Sequence, residues 1–142
     1  MNSQLVLIND ENREKLINLF LLQAKSSLRY FRYFSSRDLS SLDNHVVTYV
    51  LKNKNIIIGY CHLDLEQDKV WLGICICPDF KGKGYGQILI KKLIQKAIEF
   101  NIEIINLSVD KKNHSAINLY KKFGFRSYNQ NNKSYFMNLT LK

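Results

Sequence analysis

The sequence of 142 residues is short of several things, and each shortage excludes something. It holds one proline and six glycines. No proline- or glycine-rich linker therefore divides it, and a single domain over residues 1–142 is expected. It holds three cysteines, an odd number that argues against a disulfide framework. No apolar run approaches the ~20 residues that a bilayer span requires. Met1 to Asp10 lacks the basic start, apolar stretch and small-residue cleavage site of a signal peptide, so the cytoplasm is the expected location. There is no internal repeat and no low-complexity tract. What is present suits a packed core: 46% of residues are hydrophobic, with eight Phe and eight Tyr, and disorder is excluded on composition.

Acidic side chains are scarce in one half only. Residues 1–80 carry nine basic and nine acidic groups. Residues 81–122 carry nine basic groups against Glu99, Glu103 and Asp110. Arg126, Lys133 and Lys142 add further positive charge, for a net +9. A positive field of this kind attracts phosphate, on nucleic acid or on a small cofactor. Much of it also reads simply as solvated lysine surface.

Hydrophobic spacing predicts a helix over Asp10 to Gln23, with Leu16, Leu19, Phe20 and Gln23 at helical intervals and Asp10 or Asn12 as cap. A short helix or loop covers Ser26 to Leu42 and contains the aromatic run Arg29 to Phe34. Strands are predicted at His45 to Leu51, Ile56 to Leu65, Lys69 to Cys77, Ile104 to Val109 and Lys133 to Leu139. The second and third of these form a hairpin around Glu66–Asp68, and Pro78 ends the third. Gln87 to Phe100 is an amphipathic helix with Leu89, Leu93, Ala97 and Phe100 on one face and Ile90, Ile94 and Ile98 beside it. His114 to Phe123 is another, burying Ala116, Leu119, Tyr120 and Phe123, capped by Asn113 and closed by Gly124. Asn129 to Asn132 reads as a polar turn. Hairpin first and strand–helix alternation later imply a mixed α/β fold with a partly antiparallel sheet.

Half of the glycines fall within one stretch, Lys81-Gly82-Lys83-Gly84-Tyr85-Gly86. It lies between a strand and the start of the strongest helix. Glycine lets the backbone turn tightly and approach a ligand. Free N–H groups and the dipole at the helix start attract an anion, and Lys81 and Lys83 add charge. The spacing fits neither a P-loop nor the Gly-x-Gly-x-x-Gly dinucleotide fingerprint.

Lys81-x-x-Gly84-x-Gly86 resembles the first signature of the GNAT superfamily of acyl-CoA-dependent N-acyltransferases. The run from Leu107 to Phe125, through Asn113, Ala116, Tyr120 and Gly124, resembles its second. The resemblance is good over residues 45–128 and poor over the first 44. It implies an α+β fold: a mostly antiparallel central sheet of six to seven strands, splayed at the centre and flanked by about four helices. It implies acetyl-CoA as cosubstrate, its pyrophosphate on the amides of Lys81, Gly82, Lys83, Gly84, Tyr85 and Gly86. Ile74, Cys75 and Ile76 would pair with the pantetheine arm, and an N–H there would face the thioester oxygen. Asn113 would contact the pantetheine region, and Tyr120 would protonate the departing thiolate. Tyr120 also suits a core position, and Asn113 a plain cap.

An amine nucleophile must lose a proton, because lysine-type amines have a pKa near 10.4. The ribosomal-protein alanine acetyltransferase branch uses a Glu where this chain has Ser108. With a two-residue turn His62 faces Gly73 and Asp64 faces Trp71, and a one-residue slip would reverse the faces. His62 is the favoured base; Asp64, Glu66 and His45 are the others. Arg29, Tyr30, Arg32 and Trp71 form an expected acceptor wall, suited to an amino sugar or its nucleotide conjugate. Cys61, His62, Cys75 and Cys77 make poor tetrahedral geometry, so no metal is expected. The expected activity is transfer of acetyl to a small primary amine by direct attack in a ternary complex, by a monomer or homodimer without nucleic-acid or membrane partners. A protein N-terminal or lysine acetyltransferase, a non-catalytic acyl-CoA sensor and a basic nucleic-acid-binding module are the alternatives.

Overall fold

The computed structural model describes residues 2–142. Seven strands form one sheet in the order β1-β2-β3-β4-β5-β7-β6. They are β1 (Gln4–Leu7), β2 (His45–Asn53), β3 (Ile56–Glu66), β4 (Lys69–Ile76), β5 (Ile104–Asp110), β6 (Arg126–Gln130) and β7 (Ser134–Thr140). Every neighbouring pair is antiparallel except β4 and β5, which run parallel. The α-helices are α1 (Arg13–Ala24), α2 (Tyr85–Glu99) and α3 (His114–Lys122). Three 3₁₀ turns, at Lys25–Arg29, Tyr33–Ser35 and Leu39–Asn44, occupy the aromatic stretch expected to be a short helix or loop.

Helices cover both faces of the sheet, so its central strand is apolar almost throughout. In β3 every residue from Ile57 to Asp64 is buried. One core packs Leu16, Ile17, Phe20 and Ala24 of α1 on Val50, Ile57 and Tyr60. The other packs Leu89, Ile90, Leu93 and Ala97 of α2 and Ile117 and Tyr120 of α3 on Ile58, Cys61, Ile105 and Leu107.

The β3–β4 register is the expected one, with His62 opposite Gly73 and Asp64 opposite Trp71. The α2 face differs from expectation. Phe100 and Ile98 are 55% and 58% exposed, and Ile90 is fully buried. The buried stripe rotates towards Ile90, and Phe100 follows the helix's last residue. In α1, Ile17 and Ala24 are buried while Gln23 reaches across to the β2–β3 turn, where its Oε1 accepts from the Ile57 N–H at 2.6 Å. Two strands lie outside the predicted set, β1 and β6. Every residue of β6 is exposed, so it shows no alternation of apolar and polar positions by which a strand could be read.

Candidate active site

The sheet comes apart between its two parallel strands. β4 and β5 pair at Val70 with Ile105 and at Trp71 with Asn106, and nowhere beyond. Asn106 Nδ2 donates to the Val70 carbonyl at 3.4 Å where the strands diverge. From there β4 keeps its pairing with β3, and β5 keeps its own with β7. The wedge between them is a cleft of about 690 Å³.

One end of the cleft is the glycine loop. Gly82 and Gly84 have φ of 73° and 86°, and a Cβ on either would meet nothing within 4 Å. The positive φ disfavours any residue with a side chain, and the open space leaves a cradle for a ligand. Gly84 caps α2 with no side-chain hydrogen bond, so no side chain competes for the first helical N–H groups. The Lys81 N–H is engaged by the Pro78 carbonyl at 3.4 Å. The Lys83 ammonium lies 5.9 Å from the Phe80 ring centroid, and this residue is not part of the cleft wall. Gly86 is inside α2, where a Cβ would come within 2.9 Å of Leu119 on α3.

The middle of the cleft is walled by Ile74, Cys75 and Ile76 on one side and by α3 on the other. The Ile76 carbonyl accepts from Ser27 Oγ at 2.6 Å. Burial pushes the Cys75 thiol up to about 12, so it stays protonated and unreactive. Asn113 Oδ1 accepts from the Ala116 N–H at 3.4 Å and caps α3. Tyr120 is 6% exposed yet borders the cleft. Burial raises its pKa, which keeps the hydroxyl protonated and able to donate.

At the far end lies a polar cluster within an aromatic frame. Tyr33 Oη donates to Asp64 Oδ2 at 2.8 Å and lies 2.8 Å from His45 Nε2. His45 Nδ1 lies 2.7 Å from Thr48 Oγ1, and His62 Nδ1 lies 2.7 Å from Tyr60 Oη. Desolvation pushes His45 down to about 4 and His62 well below the usual imidazole value, with Arg37 adding to both effects. Both rings are therefore neutral at pH 7. Arg37 stacks 4.3 Å from the Tyr33 ring centroid and pairs with Glu66 at 3.3 Å.

The chain matches the acetyltransferase (GNAT) family over residues 11–125. It belongs to that family. The match covers both signature stretches and most of the sheet. Among curated proteins, a spermine/spermidine N(1)-acetyltransferase of Bacillus subtilis is 27% identical over 140 residues, covering 89% of each chain. A [ribosomal protein bS18]-alanine N-acetyltransferase of Haemophilus influenzae is 37% identical over 76 residues, covering 53% of this chain and 51% of that one. The PaiA N-acetyltransferase of Thermoplasma acidophilum, solved in complex with coenzyme A, superposes with a TM-score of 0.74 over 99% of both chains at 16% identity. The architecture of this GNAT acetyltransferase is the mixed, mostly antiparallel sheet expected from the resemblance.

Most residues singled out in the sequence meet in this one cleft. Tyr120, Asn113, His62, Tyr30, Arg32 and Trp71 all border it, as do residues 74–76 and most of the glycine loop. Arg29 does not: its guanidinium stacks 4.9 Å from the Tyr30 ring centroid. Arg32 donates to the Arg29 carbonyl and lies 4.0 Å from Asp110 at the end of β5. Sequence reasoning missed Tyr33, Arg37 and Tyr60 as members of the polar cluster. Tyr33 sits within the aromatic run and Tyr60 within an apolar strand, and only the Tyr33–Asp64 bond reveals the first as a polar participant. Among the described residues no group of three His, Cys, Asp or Glu side chains could hold a metal, and no helix is long and apolar enough to cross a membrane.

Proposed function

We propose that this GNAT acetyltransferase moves the acetyl group of acetyl-CoA directly to the primary amine of a cationic small molecule. The observation that carries the reading is one continuous cleft. It starts at the open glycine cradle, follows the edge of β4 that β5 leaves unpaired and ends at Asp64 and Glu66 among Tyr30, Tyr33 and Trp71. Carboxylates and aromatic faces suit an ammonium group. The first amides of α2 receive the diphosphate, which fits their dipole and the lysine-rich surroundings. The β4 backbone at Ile74 to Ile76 aligns the pantetheine arm. The Tyr120 hydroxyl donates to the thiolate as it leaves.

The amino-sugar acceptor expected from the sequence rested on Arg29 and Arg32 as anion ligands. Arg29 is turned onto Tyr30 away from the cleft wall, and Arg32, which stays on that wall, lies 4.0 Å from Asp110, so the expected arginine pair does not face the cleft together. The spermine/spermidine relative, aligned over nearly its full length, favours a polycationic amine instead. The test is release of CoA thiol from acetyl-CoA with spermine, glucosamine, a nucleotide-linked amino sugar and an alanine-first peptide as acceptors. Turnover with spermine well above the others is expected. Turnover with the peptide or sugar alone would replace this acceptor class.

A further inference from the structure

The His62 imidazole has one nitrogen engaged and one left over. Nδ1 lies 2.7 Å from Tyr60 Oη. Tyr60 is fully buried, and among the described residues its hydroxyl has no other hydrogen-bond partner. A buried hydroxyl hydrogen without an acceptor is costly, so Tyr60 donates and Nδ1 accepts. The single proton of the neutral ring then sits on Nε2.

Nε2–H has no partner in the protein, yet it is not sealed. Among the described residues the one sealed side-chain nitrogen or oxygen without a hydrogen bond is Asp64 Oδ1. The opening that Nε2 reaches is the cleft, whose wall includes both His62 and Gly73. A Cβ on Gly73 would lie 2.5 Å from Nε2, so the missing side chain is what lets the ring lie over β4. The Cys77 N–H donates to the Ile58 carbonyl on β3 at 2.8 Å, and backbone pairing alternates along an antiparallel strand. The Gly73 backbone therefore also turns to β3, and that of Ile74, one residue on, turns to the wedge that β5 leaves open.

The surroundings hold the ring as a donor. Tyr33 lies 4.4 Å, His45 4.5 Å and Phe31 6.1 Å from it by ring centroid. Desolvation, with His45 and Arg37 adding to it, keeps His62 well below the usual imidazole value. The nearby Asp64 on β3 is bonded to Tyr33, and the facing β4 residues Gly73 and Trp71 are uncharged. To accept a proton at Nε2 the ring would have to become an imidazolium in this frame, or return a proton from Nδ1 to Tyr60, which already holds its own. The base favoured from the sequence is thus built to give a hydrogen bond.

We propose that neutral His62 donates its Nε2–H to the carbonyl oxygen of the bound acetyl thioester, beside the Ile74 amide, and holds that oxygen more strongly as it takes up negative charge. The inference rests on the acetyltransferase reading above. The free amine nitrogen forms the C–N bond while the carbonyl electron pair moves onto oxygen. The pair returns, the C–S bond breaks, and the amine proton ends on sulfur by way of Tyr120. No proton leaves His62. An uncharged donor is useful at this oxygen and not at the nucleophile: an ammonium has no lone pair to receive it, and a free amine so held would lose the pair that attacks.

The test combines kinetics with the ring's own resonances. In wild-type protein, ¹⁵N–¹H spectra should show the Nε2–H form of His62 throughout pH 5.5 to 8, and acetyl-CoA should shift that resonance while CoA, which lacks the carbonyl, should not. His62→Leu should lose about 100-fold in kcat with spermine, by the same factor from pH 6 to 9, with little change in KM for acetyl-CoA. His62→Gln, which restores an N–H donor, should recover about tenfold of the loss. A deficit that fades as pH rises would make His62 a base. That result, an Nδ1–H ring, or equal shifts with CoA and acetyl-CoA overturns the inference while the acetyltransferase reading stands; the wild-type spectra decide even if a variant does not fold. A wild type that binds CoA but acetylates neither spermine nor an alanine-first peptide overturns the amine-transfer reading and this inference with it.

Discussion

The imidazole of His62 fills the space that a side chain on Gly73 would need. A Cβ on Gly73 would sit 2.5 Å from His62 Nε2 and 2.7 Å from Cε1. The two residues face each other across β3 and β4, beside the point where the sheet opens. Gly73 thus sets how closely His62 on β3 packs against β4 beside the cleft. Gly73→Ala should destabilise the protein by about 1–3 kcal/mol through overpacking. Urea titration reads this directly. In Gly73→Ala combined with His62→Ala, the Gly73 penalty should largely vanish, because the colliding ring is gone. Equal penalties in both backgrounds would place the strain elsewhere.

Tyr120→Phe keeps the packing against Phe125 and removes only the hydroxyl. A fall of roughly 100-fold in kcat with little change in KM for acetyl-CoA is expected. Steady-state thiol release measures both. Unchanged kcat would leave Tyr120 a core aromatic.

Gly84→Val places a β-branched residue at φ of 86° and fills the cradle. CoA affinity should drop beyond calorimetric detection. Acetyl-pantetheine, which lacks the diphosphate, should still be turned over at close to the wild-type rate. Loss of both activities would mean the substitution disturbs more than the diphosphate contact.

The buried histidines give stability a pH dependence of known sign. An unfolded chain protonates its histidines near pH 6.5, whereas folded His45 resists down to about 4 and His62 further. Between those limits the unfolded state binds more protons, so stability falls as pH drops, by about 1.4 kcal/mol per unit for each ring. Asp64 acts in the opposite sense above the unfolded carboxyl pKa of 3.8, because its folded value is raised. Asp64→Asn should therefore raise the melting temperature at pH 7. Urea midpoints at pH 7.5, 6 and 5 check the histidine contribution, and a flat series would contradict it.

The sequence revealed the glycine-loop end of the cleft well. Its residues are glycines and a capped helix, and their local spacing carries the geometry: Gly82 and Gly84 with positive φ, Asn113 at a helix start. The hairpin register followed from turn length, which placed His62 against Gly73. The opposite end, with the polar cluster, was less legible. Tyr33, His45 and Asp64 come from a 3₁₀ turn and two strands, and only the tertiary fold brings His45 and Asp64 each to 2.8 Å from the Tyr33 hydroxyl. Within the Arg29–Phe34 run nothing local separates Tyr33 from Phe31, although one bonds a carboxylate and the other packs on Phe20 and Tyr60. Strand β6 was hidden for a related reason: its exposed residues carry no pattern, and its pairing with β7 alone defines it.

A crystal structure of the protein grown with acetyl-CoA bears most directly on the central claim. The diphosphate should lie on the amides of Gly82 to Gly86, with the thioester between β4 and β5 beyond Trp71 and Asn106. Acetyl-CoA bound outside that wedge, or a wedge closed by continued β4–β5 pairing, would contradict it.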